Sequence, residues 1–130
     1  ICVGMQVLFE HQEEGDAQGF GFLKGNVRAI EGATKLPHIG WNKVASENPD
    51  DGLDQGYYYF VHSYIVEPTN PEEVAATARY GEDFAVVVKS GNVWGTQFHP
   101  EKSGPAGIEF LASWVNSVDR SIKDRWAAGE

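Results

Sequence analysis

The chain has 130 residues, 42% of them hydrophobic, with four Trp, five Tyr and seven Phe, enough for one domain with a real core and against disorder. Nineteen acidic residues against ten basic ones leave a net charge of −9, which makes nucleic acid a poor partner and argues against it. A single Cys rules out an internal disulfide, and no apolar run approaches the roughly 20 residues of a bilayer span, so a soluble, cytoplasmic protein without membrane contact is expected.

In chain order, VGMQVLFEHQE (3–13) places Met5, Leu8 and Phe9 at i, i+3 and i+4 and predicts a short amphipathic helix. Gly15, Gly19, Gly21 and Gly25 then form a glycine-rich connection, followed by a strand NVRAI (26–30). Pro37 disfavours helix, so residues 39–44 read as extended. SENPDDGLDQG (46–56) carries almost pure loop signals. YYYFVHSYIV (57–66) is aromatic and β-branched throughout and is expected to be one central strand. Strands are also predicted over 74–80, 83–89 and 93–98, and a helix over 105–118, with Ile108, Leu111, Val115 and Val118 as its apolar stripe, widened by Trp114. These elements predict an α/β fold with a partly antiparallel sheet.

Two stretches carry candidate chemistry. Cys2 immediately precedes a helix, whose unpaired N–H groups lower a thiol pKa, and Gly4 permits a tight bend there. A lone Cys can equally be a small buried hydrophobe. In GTQFHPEKSG (95–104), His99 and Glu101 stand two apart where a strand ends, so the carboxylate can orient the ring while its other nitrogen takes a thiol proton. A turn ion pair is the alternative. His62, inside the strand, is either a core residue or a rival base, and His11 is expected to be solvated. His38, His62 and His99 match no ligand spacing, so neither a metal nor a cofactor is expected. Gln6, one turn after Cys2, faces either a polar substrate or solvent. Trp41, Tyr57, Tyr58 and Tyr59 belong either to the core or to an interface.

CVGMQ (2–6) together with QFHPEKSG (97–104) resembles the nucleophile and His/Glu motifs of class I, triad-type glutamine amidotransferases. PHIGWN (37–42) and YFVHSY (59–64) are similar to the glutaminase subunits of imidazole glycerol phosphate synthase within that family. The resemblance implies a three-layer α/β fold with a mixed central sheet. It also implies L-glutamine hydrolysis through a thioester on Cys2, with His99 as base and Glu101 orienting it. By the same resemblance the Val3 N–H is an oxyanion donor and Gln6 lines the glutamine pocket. Ammonia would pass to a (β/α)8-barrel cyclase subunit for imidazole glycerol phosphate formation in histidine biosynthesis. Trp41, Tyr59 and Lys102 would lie towards that partner. GFGF (19–22) replaces the aliphatic GLGL of the family and reads as a packing variant.

The resemblance also implies strands ahead of the nucleophile and a glycine-rich oxyanion loop. Residues 1–130 are therefore expected to be the C-terminal portion of a single, N-terminally truncated amidotransferase domain, with an exposed sheet edge and little activity by themselves. The competing expectations are the glutaminase of another synthase, such as one for anthranilate or GMP, a non-catalytic cyclase-binding subunit, or a cysteine peptidase.

Overall fold

A computed structural model describes residues 1–46, 53 and 56–129. The loop expected over 46–56 lies mostly outside the described residues. The elements are α1 (Val3–Gln6), β1 (His11–Gln12), β2 (Ala17–Gln18), β3 (Gly25–Ala29), β4 (His38–Ser46), β5 (Tyr57–His62), β6 (Tyr64–Pro68), β7 (Val74–Tyr80), β8 (Glu82–Ser90), β9 (Val93–Thr96) and α2 (Gly104–Ala127), with short 3-10 turns at Glu14–Asp16, Pro71–Glu73 and Pro100–Lys102.

Two sheets form. A five-stranded sheet has the order β5-β4-β7-β8-β9, with every pairing antiparallel, and a four-stranded sheet has the order β2-β1-β3-β6. The mixed character resides in the smaller sheet, where β1 meets β3 in parallel at Gln12↔Val27. β8 is the shared wall between the two cores. Phe84 and Val86 enter a core with Tyr58, Phe60, Phe98 and the α2 residue Phe110, whereas Ala85 and Val88 enter a second core with Met5, Phe9, Leu23 and Val27. Burial on both faces explains why β8 reads as a continuous apolar run rather than an alternating one. No helix among the described residues is long and apolar enough to cross a membrane.

Several expectations are corrected. The helix predicted over 3–13 ends at Gln6, because the chain then turns so that the Phe20 and Leu23 amides reach back to the Val7 and Leu8 carbonyls. The run 57–66 is not one central strand: it breaks at Ser63, and β5 lies at the edge of one sheet while β6 lies at the edge of the other. The last helix continues to Ala127, through residues read as a polar tail. Its buried face is Gly107 and Phe110, not the expected stripe; Ile108 is 60% and Val115 54% exposed. Phe110 prevails because it meets Phe98 and Trp94 at 5.5 and 5.8 Å between centroids. Phe20 and Phe22 stand exposed, so GFGF does not pack within the described residues.

Two glycines allow the elements around Cys2 and His99 to close. A Cβ on Gly95 in β9 would lie 2.7 Å from the Met5 Cγ, so α1 can rest on β9 only without one. A Cβ on Gly107 would collide with the Pro100 carbonyl, which seats α2 directly against the turn carrying Glu101.

Candidate active site

β5 organises the site. Its inner face buries Tyr58, Phe60 and His62, and its outer face carries Tyr57, Tyr59 and Val61. Its free edge receives two other segments: the Cys2 thiol points at the Val61 carbonyl at 3.8 Å, and the His99 amide donates to the Tyr59 carbonyl at 2.9 Å. Carbonyls two residues apart on a strand are about 7 Å apart. Cys2 and His99 thus sit side by side along one strand edge, although 97 positions separate them in the chain.

Cys2 occupies a sharp bend. Its φ is 54° and ψ −114°, a conformation that side-chain-bearing residues rarely adopt. The bend is tied to β9 by the Cys2 amide, which donates to the Thr96 carbonyl at 2.7 Å, and to α1 by the Met5 and Gln6 amides, which donate to the Cys2 carbonyl. The strained residue just ahead of a helix is the half of a hydrolase elbow that this chain contains; no strand leads into it among the described residues. Burial pushes the Cys2 thiol up, opposed by the backbone N–H of Val3 and the side-chain amide of Gln97. The Val3 amide, which faces the sulphur, is placed to act on charge developing there.

His99 and Glu101 are joined as expected, with Nδ1 2.8 Å from the Glu101 carboxylate. This fixes Nδ1–H as a donor and leaves Nε2 as the basic nitrogen. Partial burial pushes the Glu101 carboxyl up, but its hydrogen bond to His99, with the His99 and Lys102 charges, prevails and leaves it lowered. Among the described residues His99 is hydrogen-bonded to Glu101 and not to Cys2; the structure brings the two to one edge without closing the thiol–imidazole contact.

Gln6 is 7% exposed, and its Nε2 donates to the Tyr64 carbonyl and to Gln97 Oε1, both at 3.1 Å. It is a buried residue beside the thiol rather than a solvated one. Both ring nitrogens of the buried His62 are engaged: its Nδ1 faces the Tyr64 carbonyl and its Nε2 faces His38 Nδ1, each at 2.9 Å. His11 pairs with Asp16 at the surface. Trp41 is 56% exposed and meets the Tyr59 ring edge-on at 6.0 Å; Tyr58 is core, and Lys102 is exposed beside Glu101.

Sequence reasoning missed two residues. Ser103 is buried; its Oγ donates to the His99 carbonyl at 2.7 Å and accepts the Tyr59 amide at 3.0 Å. Gln97 is fully buried, with Nε2 3.7 Å from the Cys2 sulphur. The available signals were a polar residue directly after a core strand for Gln97 and a hydroxyl at the start of a helix for Ser103.

The family model "Glutamine amidotransferase class-I" matches residues 1–117. The chain is 47% identical over 124 residues to the imidazole glycerol phosphate synthase subunit HisH of Desulfitobacterium hafniense, covering 89% of this chain and 59% of that protein. It is 46% identical over 123 residues to the HisH of Oceanobacillus iheyensis, covering 91% and 61% respectively. The chain thus spans less than two thirds of the length of these curated relatives. A putative GMP synthase subunit from Thermoplasma acidophilum shares the fold, with a TM-score of 0.57 at 17% identity over 77% of this chain and 52% of that one. With the family match running from the Cys2 bend through the His99–Glu101 turn and into α2, the chain belongs to the class I glutamine amidotransferase family.

Proposed function

We propose that this chain is the C-terminal portion of a single glutamine amidotransferase domain that hydrolyses L-glutamine as the glutaminase subunit of imidazole glycerol phosphate synthase. The observation that carries the reading is the common edge of β5, to which both the Cys2 thiol and the His99–Glu101 pair are attached. His99 Nε2 takes the Cys2 proton as the sulphur attacks the side-chain amide carbon of glutamine. The Val3 N–H stabilises the oxyanion, and Gln6 lines the substrate pocket. His99 then returns the proton to the departing nitrogen, releasing ammonia and leaving a glutamyl thioester. Water, deprotonated by the same base, cleaves the thioester to glutamate. Glu101 holds the ring and balances its charge throughout.

Ammonia then passes to a (β/α)8-barrel cyclase partner in a cytoplasmic heterodimer serving histidine biosynthesis, where lyase chemistry completes the product. Similarity to two HisH subunits supports this assignment. The outward rings of Trp41 and Tyr59, flanked by the exposed Ile39 and Tyr57, support an interface on that face, with Lys102 at its margin. The test is glutamate formation from glutamine by the protein from the complete gene, with and without the cyclase and its nucleotide ligand. Strong stimulation by the cyclase, abolished in Cys2→Ala, is expected. A folded protein that releases no glutamate under any of these conditions overturns the reading, and turnover stimulated only by a different synthase reassigns the partner.

A further inference from the structure

We propose that Gln97 is the side-chain donor that favours the thiolate form of the Cys2 sulphur when its proton is taken, and that Gln6 sets which end of the Gln97 amide faces it. The orientation follows from a chain of contacts that begins at a group able only to accept. The Tyr64 carbonyl takes one hydrogen of Gln6 Nε2 at 3.1 Å, which fixes the nitrogen end of the Gln6 amide. The second hydrogen of the same nitrogen goes to Gln97 Oε1 at 3.1 Å. Gln97 Nε2 is thereby turned to the Cys2 sulphur, at 3.7 Å. With its amide reversed, Gln97 would set an oxygen against the sulphur and repel the thiolate.

Gln97 is fully buried and Gln6 nearly so, and the Gln6 backbone is itself anchored by Gln12 Nε2 on its carbonyl at 2.9 Å. Neither amide can rotate without orphaning a buried polar group. The Gln97 amide opposes the burial that raises the thiol. It has no role in proton transfer, since an amide neither gains nor loses a proton in this range. It is a positioning residue for the nucleophile, and the proposal rests on Cys2 being that nucleophile.

The measurement is the pH dependence of Cys2 alkylation by iodoacetamide, mapped by mass to Cys2 in the full chain. Gln97→Met removes the donor at similar volume, and Gln97→Glu sets a carboxylate oxygen against the sulphur. The apparent thiol pKa is expected to rise by about one unit in Gln97→Met and further in Gln97→Glu. Because a more basic thiolate is also more nucleophilic, alkylation at neutral pH falls about threefold in Gln97→Met. An unchanged thiol pKa in the folded variants overturns the proposal. Should both variants fail to fold, the side-chain amide resonance of Gln97 in the unaltered protein decides. It is expected to move with the Cys2 titration and to stay still in Cys2→Ser; a flat resonance through the titration overturns the proposal. Glutamine turnover is not read, so loss of the glutaminase assignment and loss of this one are separable.

Discussion

Ser103 holds His99 by its own backbone: the Ser103 hydroxyl donates to the His99 carbonyl at 2.7 Å, and the same oxygen accepts the Tyr59 amide at 3.0 Å. One buried oxygen therefore fastens the turn that carries His99 to the edge of β5. Ser103→Ala leaves the Tyr59 N–H and the His99 carbonyl without these partners. A loss of about 1–3 kcal/mol in unfolding free energy is expected, measured by urea denaturation. Under the proposed glutaminase mechanism, in which this turn positions the His99 ring, kcat should fall with KM little changed. A variant as stable and as active as the parent refutes this account of Ser103.

The bend at Cys2 stores strain in its backbone, since φ of 54° with ψ of −114° is costly for any residue with a Cβ. Such conformations cost about 1–3 kcal/mol. Cys2→Gly should therefore be more stable than Cys2→Ala by about 1 kcal/mol, even after the greater entropy of the unfolded glycine chain is charged against it. Thermal unfolding of the two variants side by side makes the comparison, and a higher Tm for Cys2→Ala would show the bend to be unstrained.

His62 links stability to pH. Burial holds its pKa down to about 4 from 6.5, reinforced by the neighbouring His38 and His99 and opposed by its bond to the Tyr64 carbonyl. The unfolded chain thus takes up the proton before the folded one. Stability is complete above about pH 6.5 and is lost as pH falls towards 4. For a depression of this size the loss is about 3 kcal/mol. The Arg28 guanidinium holds the Glu82 carboxyl down to about 2 from 4.5, so that ion pair weakens in a lower window, between those two values. His62→Gln should flatten the pH dependence of unfolding between pH 6.5 and 4 while leaving the acid limb in place. Persistence of the full upper slope in that variant would assign it to other groups.

The ends of the site were legible in the sequence because their chemistry is local. A Cys before a helix start and a His two residues before a Glu each announce a geometry within a few bonds. What joins them was not legible. β5 and β6 share one aromatic and β-branched run broken only by Ser63, and a single small polar residue is too slight a mark to announce a switch between sheets in a pattern that reports burial rather than pairing. Gln97 and Ser103 act through partners 95 and 44 positions away, which no periodicity encodes. The extension of α2 was hidden by its polar composition, although Asp119 and Lys123 pair one turn apart at 3.0 Å, as an exposed helix surface favours. The interior of α2 was misread for a related reason: the conspicuous stripe of Ile108 and Val115 faces outward, and the aromatic Phe110 between them makes the core contact.

The attachment of Cys2 and His99 to carbonyls two residues apart on β5 makes the backbone repeat a ruler for the site. Their separation is set by main-chain geometry that every residue type shares, not by the side chains of Tyr59 and Val61. Those side chains can be exchanged to suit a different docking surface while the two attachment points keep their spacing. A single inserted or deleted residue between them would change that span by a whole strand step and turn one of the two carbonyls away. The strand thus divides freedom from constraint: its outward face is open to substitution, and its length is not.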